Sequence, residues 1–269
     1  MKIRIRIPLS GMTALAAVAL GFGPARAAIV ATPVDNDIFL GIHATGGTGS
    51  SVSYLVNLGQ YSQFASQASG TTVSLSGLGD IGTDLVATFG ANWNTRADVK
   101  WGIFGRDNSG TVSLFSSREE QNVGTPGPAW AAISLTRRQN TSSSVGTVLL
   151  GINGYNGRES TPNSTVAVLQ DNGSSSTASY NYQVVTGASD FGTTSGWSNI
   201  EGDFGGGTSG TALDLFKISA SGVTTPGFFT IANSGGLSFT TIPEPSAGLL
   251  GAAGVVLLLT NRRRRLASI

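Results

Sequence analysis

Along the body of this chain, apolar residues come only in bursts of four to eight, separated by stretches of Gly, Ser and Thr. Bursts of that length suit strands, because an amphipathic helix needs its periodic pattern sustained over ten or more residues. Glycine contributes 38 of 269 residues and charged residues only 12%, so turns are frequent and solvated helical faces scarce. The pattern predicts a mainly β protein. No cysteine is present, so the core must hold the domain without disulfides. Residues 28–241 are numerous enough to bury one such core.

The clearest local signal is a hairpin. Residues 99–104 and 111–115 are apolar runs flanking Asp107-Asn108-Ser109-Gly110, and Asn and Gly tolerate the positive φ of tight turns. A second hairpin is predicted from residues 164–169, a turn at Asp171-Asn172-Gly173-Ser174, and a return strand over 178–185. In that return strand Tyr180, Tyr182 and Val184 alternate with Asn181 and Gln183. Further strands are expected at 38–43, 53–58, 71–75, 131–136, 145–152, 212–219 and 227–232, with a last strand or stalk at 234–242. In residues 213–218 neither alternating set is purely apolar, which leaves the burial of that strand open. Two short helices are expected at 59–68 and 80–89, with Asp80 as N-cap of the second. Residues 124–128, 142–144 and 202–210 read as loops.

Both termini carry processing signals. Lys2, Arg4 and Arg6 precede an apolar run at 9–22, and Ala25-Arg26-Ala27 has the small-x-small pattern of a signal-peptidase site. Residues 1–27 are therefore read as a secretory signal peptide, cut after Ala27 or Ala28. At the other end, Pro243-Glu244-Pro245 is followed by an uncharged span at 246–260 and by Arg262, Arg263, Arg264 and Arg265. In hydrocarbon that span can only be helical, since lipid offers no partner for a free amide. Its length is about 22 Å against a hydrocarbon core of ~30 Å. Ile242 and the arginine stems extend it. The arginines belong on the cytoplasmic side, which puts the body outside. Gly248, Gly251 and Gly254 mark a close-packing helix face or simply the abundance of glycine in membrane spans.

This order of motif, short span and basic stop resembles the PEP-CTERM sorting signal of exported Gram-negative proteins. The resemblance is carried by Pro243, Glu244, Pro245, Ser246, the glycine-containing span and Arg262 to Arg265, about a tenth of the chain. It implies a C-terminal transmembrane helix held transiently in the inner membrane. An exosortase would then cut near the motif and pass the ectodomain to the cell surface or extracellular matrix. An ordinary single-span anchor is the alternative. The Asp37 to Gly41 opening and the Tyr54 to Gly59 run also look like ectodomains that carry this tail, and they imply no activity. The body at 28–241 is read as a single β-sandwich-like, jelly-roll-like ectodomain with one or two short helices, and the sorting tail as 242–269.

Removal of both ends changes the charge. Residues 29–245 hold eight basic and fifteen acidic side chains, a net charge of −7, so the precursor's pI near 8.1 is no nucleic-acid footprint.

Candidate chemistry is sparse. His43 is the only histidine, and no Gly-x-Ser-x-Gly elbow accompanies it. It reads as a satisfied strand-end residue, and a lone histidine without cysteine argues against zinc or a redox metal. Glycoside hydrolysis needs only two carboxylates. Glu119, Glu120, Glu159, Glu201 and Asp203 are the candidates, and Glu201 and Asp203 would share one face of a strand. Asp35, Asp37, Asp107-Asn108 and Asp171-Asn172-Gly173 could hold Ca²⁺, although turn chemistry accounts for each. The glycines of 202–210 lack the ending of a phosphate loop.

Trp93, Trp101, Trp130 and Trp197 could stack on sugar rings or fill a core. Trp101 alternates with Ile103 and points to the core, and Trp130 and Trp197 are expected to be the exposed ones. Asn140, Asn163 and Asn172 match the glycosylation sequon, which is expected by chance at this composition. The reading is a non-enzymatic exported protein without a cofactor. Its partners would be signal peptidase, an exosortase and extracellular polysaccharide, and not nucleic acid. The alternative is a carbohydrate-binding module or a carbohydrate-active hydrolase.

Overall fold

A computed structural model describes residues 33–120, 125–154, 158–159, 167–171, 178–185, 200–204 and 212–242. The signal segment with Ala25 and Ala27, the motif Pro243-Glu244-Pro245, the apolar span and Arg262 to Arg265 lie outside the described residues. So do Asn163, Asn172 and Trp197. Among the described residues no helix is long and apolar enough to cross a membrane.

Within the described residues, eleven strands form one antiparallel sheet. They are β1 (Asp37–Ala44), β2 (Val52–Gln60), β3 (Thr72–Ser74), β4 (Val99–Asp107), β5 (Ser113–Glu119), β6 (Arg158–Glu159), β7 (Ala167–Asp171), β8 (Glu201–Asp203), β9 (Ala212–Ser219), β10 (Gly222–Ile231) and β11 (Leu237–Thr241). Their order across the sheet is β3-β11-β10-β9-β5-β4-β1-β2-β7-β6, with β8 attached to β4. The helices are α1 (Tyr61–Ala65), α2 (Ile81–Phe89), α3 (Leu135–Gly154) and α4 (Tyr180–Val185).

Both faces of the central strands are covered, and side-chain alternation divides the core in two. Ile38, Leu40 and Ile42 of β1 join Tyr54 and Val56, Trp101 and Ile103, Leu213 and Leu215, and Phe229 on the inner face, against α1 and α2. Phe39, Leu55, Phe104, Phe216 and Ile218 face outward onto α3 and α4. This resolves the ambiguity of residues 213–218. Their strand is buried on both sides, so a sequence with apolar residues in both alternating sets is what its position demands.

The sheet is curled. The single turn of α1 touches β2 near one end of the strand order and β10 and β11 near the other. Phe64 of α1 packs edge-on against Phe229 (5.1 Å between centroids) and Phe239 (5.0 Å), and Tyr61 stacks on Phe115. On α2, the Asp80 carboxylate accepts the Thr83 N–H at 3.0 Å, the N-cap expected from sequence. Gly82 leaves no room for a Cβ against the Ser234-Gly235 turn, so this glycine lets the β10–β11 hairpin close onto the helix. The far end of α2 is held by Arg96, whose Nη1 donates to the carbonyls of Phe89 (2.6 Å) and Thr48 (2.8 Å) while it pairs with Asp98.

The structure corrects several expected elements. Residues 145–152 are not a strand and 142–144 are not a loop, because both lie in α3, which has twenty residues. The short-helix expectation therefore fails there. The buried residues Val145, Val148, Leu149 and Ile152 stand at helical spacings of three and four. The apolar run was ambiguous between the two periods, and the hydroxyl-rich stretch before it tolerates the helix by bonding backward. Ser143, Ser144 and Thr147 donate to the carbonyls of Gln139, Asn140 and Ser143. Residues 131–134 are irregular. The predicted return strand at 178–185 is instead α4, started by Ser179, whose hydroxyl accepts the Tyr182 N–H at 3.0 Å.

Phe64 links two distant parts of the strand order, so Phe64→Ala should cost about 3–5 kcal/mol. Equilibrium urea unfolding checks this, and a loss below ~1 kcal/mol would mean the curl does not depend on α1.

Candidate functional site

β4 and β5 pair only from Phe104 to Asp107, and over Lys100 to Gly102 the same edge of β4 is taken by β8. The sheet forks there. One hydroxyl bridges the fork, as Ser117 Oγ accepts the Ile103 N–H at 2.7 Å and donates to the Ile200 carbonyl at 2.5 Å. Backbone groups that separation of the strands would leave without partners are thereby satisfied.

The fork presents Glu201 and Asp203 on one side of β8, as their spacing predicted, with Gly202 buried on the other. Lys100 on β4 donates its ammonium to Asp203. Its cross-strand neighbour on β1 is His43, which is fully buried. His43 Nε2 lies 3.0 Å from Glu201 Oε1 and 3.1 Å from Oε2, and Tyr180 Oη donates to Oε1 at 2.8 Å. A histidine from β1, a glutamate from β8 and a tyrosine from α4 therefore meet at one carboxylate.

Two glycines make this possible. Gly41 and Gly102 face each other across β1 and β4, and Tyr180 lies over both. A Cβ on Gly41 would come within 2.7 Å of the tyrosine ring, and one on Gly102 within 2.5 Å of its oxygen. The ring stacks on Phe104 at 5.1 Å. Gln170 fixes the start of α4, accepting the Tyr180 N–H at 2.7 Å and donating to the Ala178 carbonyl at 2.9 Å. Burial pushes the Tyr180 hydroxyl pKa well above its usual value and the adjacent Glu201 carboxylate pushes it further, so it stays a proton donor.

Chemically this is a closed acid–base cluster. The expectation for His43 is met at one nitrogen only. Nε2 is paired, whereas Nδ1 is buried without a hydrogen-bond partner among the described residues. Among the described residues, no serine, threonine or cysteine therefore stands where the nucleophile of an acyl-transfer triad would bond to that nitrogen. Among the described residues, no group of three His, Cys, Asp or Glu is placed to hold a metal.

Of the remaining acidic candidates, Glu119 is brought to the fork beside Asp203. Glu119 lies under Gly202, and burial raises its pKa while the Asp203 N–H, donated to it, works the other way. Glu120 meets a carboxylate that the sequence reading did not select, Asp214 of β9. Asp214 is fully buried, and its Oδ2 accepts the Gly127 N–H at 2.6 Å. Burial raises the pKa of Asp214, and hydrogen bonds from Gly127 and Glu120 only partly offset this. A lone acid among Leu213, Leu215 and Phe216 was the available signal.

Asp37 is occupied by Asn57 (2.9 Å), the Val34 N–H (3.0 Å) and Gln60, and Asp107 by Ser109. Asp35 stands 3.9 Å from Arg106 Nε. The side chains of Glu159 and Asp171, and residues 172 and 173, lie outside the described part. Of the tryptophans, Trp93 and Trp101 pack on Phe204 in the inner core. Trp130 was expected to be exposed and is only 3% so, lying under the Arg118 guanidinium at 4.0 Å. Arg118 also donates to the Pro128 carbonyl, which draws the proline-bounded segment down onto β5 and buries the ring.

Comparison of the chain with protein-family models, curated proteins and solved structures finds no match.

Gly102→Ala should displace Tyr180 and cost about 1–3 kcal/mol as overpacking, read by urea unfolding. The raised pKa of Asp214 has a defined sign. Its neutral form is favoured in the fold, so that contribution is complete below the ordinary carboxylate range and is lost as pH rises through the raised value. From about pH 4 upward, Asp214→Asn should flatten the fall of unfolding free energy with pH. An unchanged slope would mean that Asp214 titrates normally.

Proposed function

We propose that this is an exported protein sorted by an exosortase to the cell surface or extracellular matrix, structural or polysaccharide-associated rather than catalytic. The observation that carries the reading is the ordered tail, Pro243-Glu244-Pro245, apolar span and Arg262 to Arg265, opposite a secretory signal at residues 1–27. The fold is compatible with cleavage at that motif. β11 ends at Thr241, whose N–H donates to the Thr71 carbonyl, and Ile242 N–H donates to the Pro226 carbonyl. Every one of these bonds lies before Pro243, so cutting at the motif would remove none of them.

We read the curl as sandwich-like, with β9, β10 and β11 facing β1, β2 and β4 across the inner core. A non-catalytic role is supported by the pairing of Glu201 with His43 and Tyr180 and of Asp203 with Lys100. The carbohydrate-binding alternative loses its platform at Trp130, which is buried.

The test is the intact mass and location of the protein in its native host, with and without a working exosortase. Exosortase-dependent loss of the residues beyond the Pro243 region, with surface or matrix location, is expected. An intact C-terminus retained in the membrane would make the tail a plain anchor and overturn the assignment.

A further inference from the structure

A cleft of about 500 Å³ opens at the rim of the curled sheet, between the β4–β5 turn, the β9–β10 hairpin and the start of α1. Its size falls within the range of small-molecule sites, ~300–1,000 Å³. Lys217 of β9 enters it, on the same side of the strand as Leu213 and Leu215 but beyond the edge of the core. Its Nζ stands 5.3 Å from the centre of the Tyr61 ring, and that ring is held by stacking on Phe115 at 4.5 Å and 14°. Among the described residues no carboxylate lies within the 4.0 Å of an ion pair, whereas Arg96, Lys100 and Arg106 each have one. An aromatic face attracts the ammonium but does not neutralise it. In a body of net charge −7, this is a cation without an anionic partner among the described residues.

The rest of the cleft is hydroxylated. Tyr61, Ser113, Ser219 and Thr224 line it, and the Tyr61 phenol and the Thr224 hydroxyl are hydrogen-bond partners. Among the described lining residues the one acid is Asp107. Its Oδ1 is occupied by the N–H (2.9 Å) and hydroxyl (2.5 Å) of Ser109, and Oδ2 remains as an acceptor. A negative charge in the same cleft repels a polyanion such as a phosphate ester and favours a ligand with a single charge and hydroxyls to donate.

We propose that this cleft binds a small polyhydroxylated molecule bearing one carboxylate, with Lys217 pairing the carboxylate and Asp107 and Tyr61 hydrogen-bonding its hydroxyls. The proposal stands on the cleft alone and not on the sorting tail, so either can fail without the other.

Calorimetric titration of the full chain with sodium D-glucuronate, D-glucose and acetate tests it. Saturable glucuronate binding is expected, at least tenfold tighter than either comparison ligand. Lys217→Gln, with an unchanged circular dichroism spectrum, should weaken it tenfold or more. Should that variant fail to fold, the unaltered protein in about 0.3 M NaCl serves instead, because screening should weaken the pairing several-fold. The proposal is overturned by any of four results: no saturable binding, acetate or glucose binding as tightly as glucuronate, undiminished binding by Lys217→Gln, or no effect of salt.

Discussion

The inner aromatic contact of Phe64 with Phe229 and Phe239 is the constraint on which the rest of the architecture depends. A flat sheet of this width would leave one face of its central strands exposed. Curling around α1 and α2 lets β2 and β11, distant in strand order, share one core. With no disulfide available, the stabilisation has to come from burial of this kind, at about 25 cal/mol per Å² of apolar surface removed from water. Close glycine contacts follow from the same geometry. Gly82 on α2 lets the β10–β11 turn press against the helix, where any side chain would hold it off.

On the outer face, packing imposes a different requirement. Tyr180 must lie flat on the sheet, and Gly41 and Gly102, opposite each other in the ladder, clear a floor for it. Its hydroxyl then needs an acceptor in a buried place, and Glu201 supplies it while also receiving His43. β8 is only three residues long and would be a weak edge by itself. Ser117 and the Glu201 contacts fasten it where β4 and β5 part. The polar residues most suggestive of catalysis in the sequence thus hold elements together at the fork, while Lys217, with no carboxylate partner among the described residues, lies in the cleft by the β4–β5 turn.

Much of the sheet was legible without coordinates. The hairpin around Asp107-Asn108-Ser109-Gly110 was marked by its turn residues, and β1, β2 and β9 by short apolar bursts, while the segment holding β11 was open between a last strand and a stalk. Asp80 announced α2 because a carboxylate before a periodic run has a definite use in capping free amides. Residues 145–152 misled because a continuous apolar run satisfies both periods at once, and Tyr180 to Val184 because strict alternation over a few residues costs nothing in a helix of one and a half turns. Of the candidate site, His43, Glu201 and Asp203 were visible as residue types. Tyr180 was not, because its role depends on two glycines from other strands, and Asp214 was passed over because its partner Glu120 is remote in sequence.

The sequence by itself determined the β class, the β4–β5 turn, the cap of α2, the absence of disulfides and the acidic balance of the body. Each of these depends on composition or on neighbours within a few residues. Only the tertiary structure decided which face of each strand is buried, that β9 is covered on both sides, that Trp130 is hidden, and which charges are paired. Those outcomes depend on contacts between residues tens to more than a hundred positions apart, such as His43 with Glu201, which meet because β1 and β8 flank β4 in the sheet and not by any local pattern.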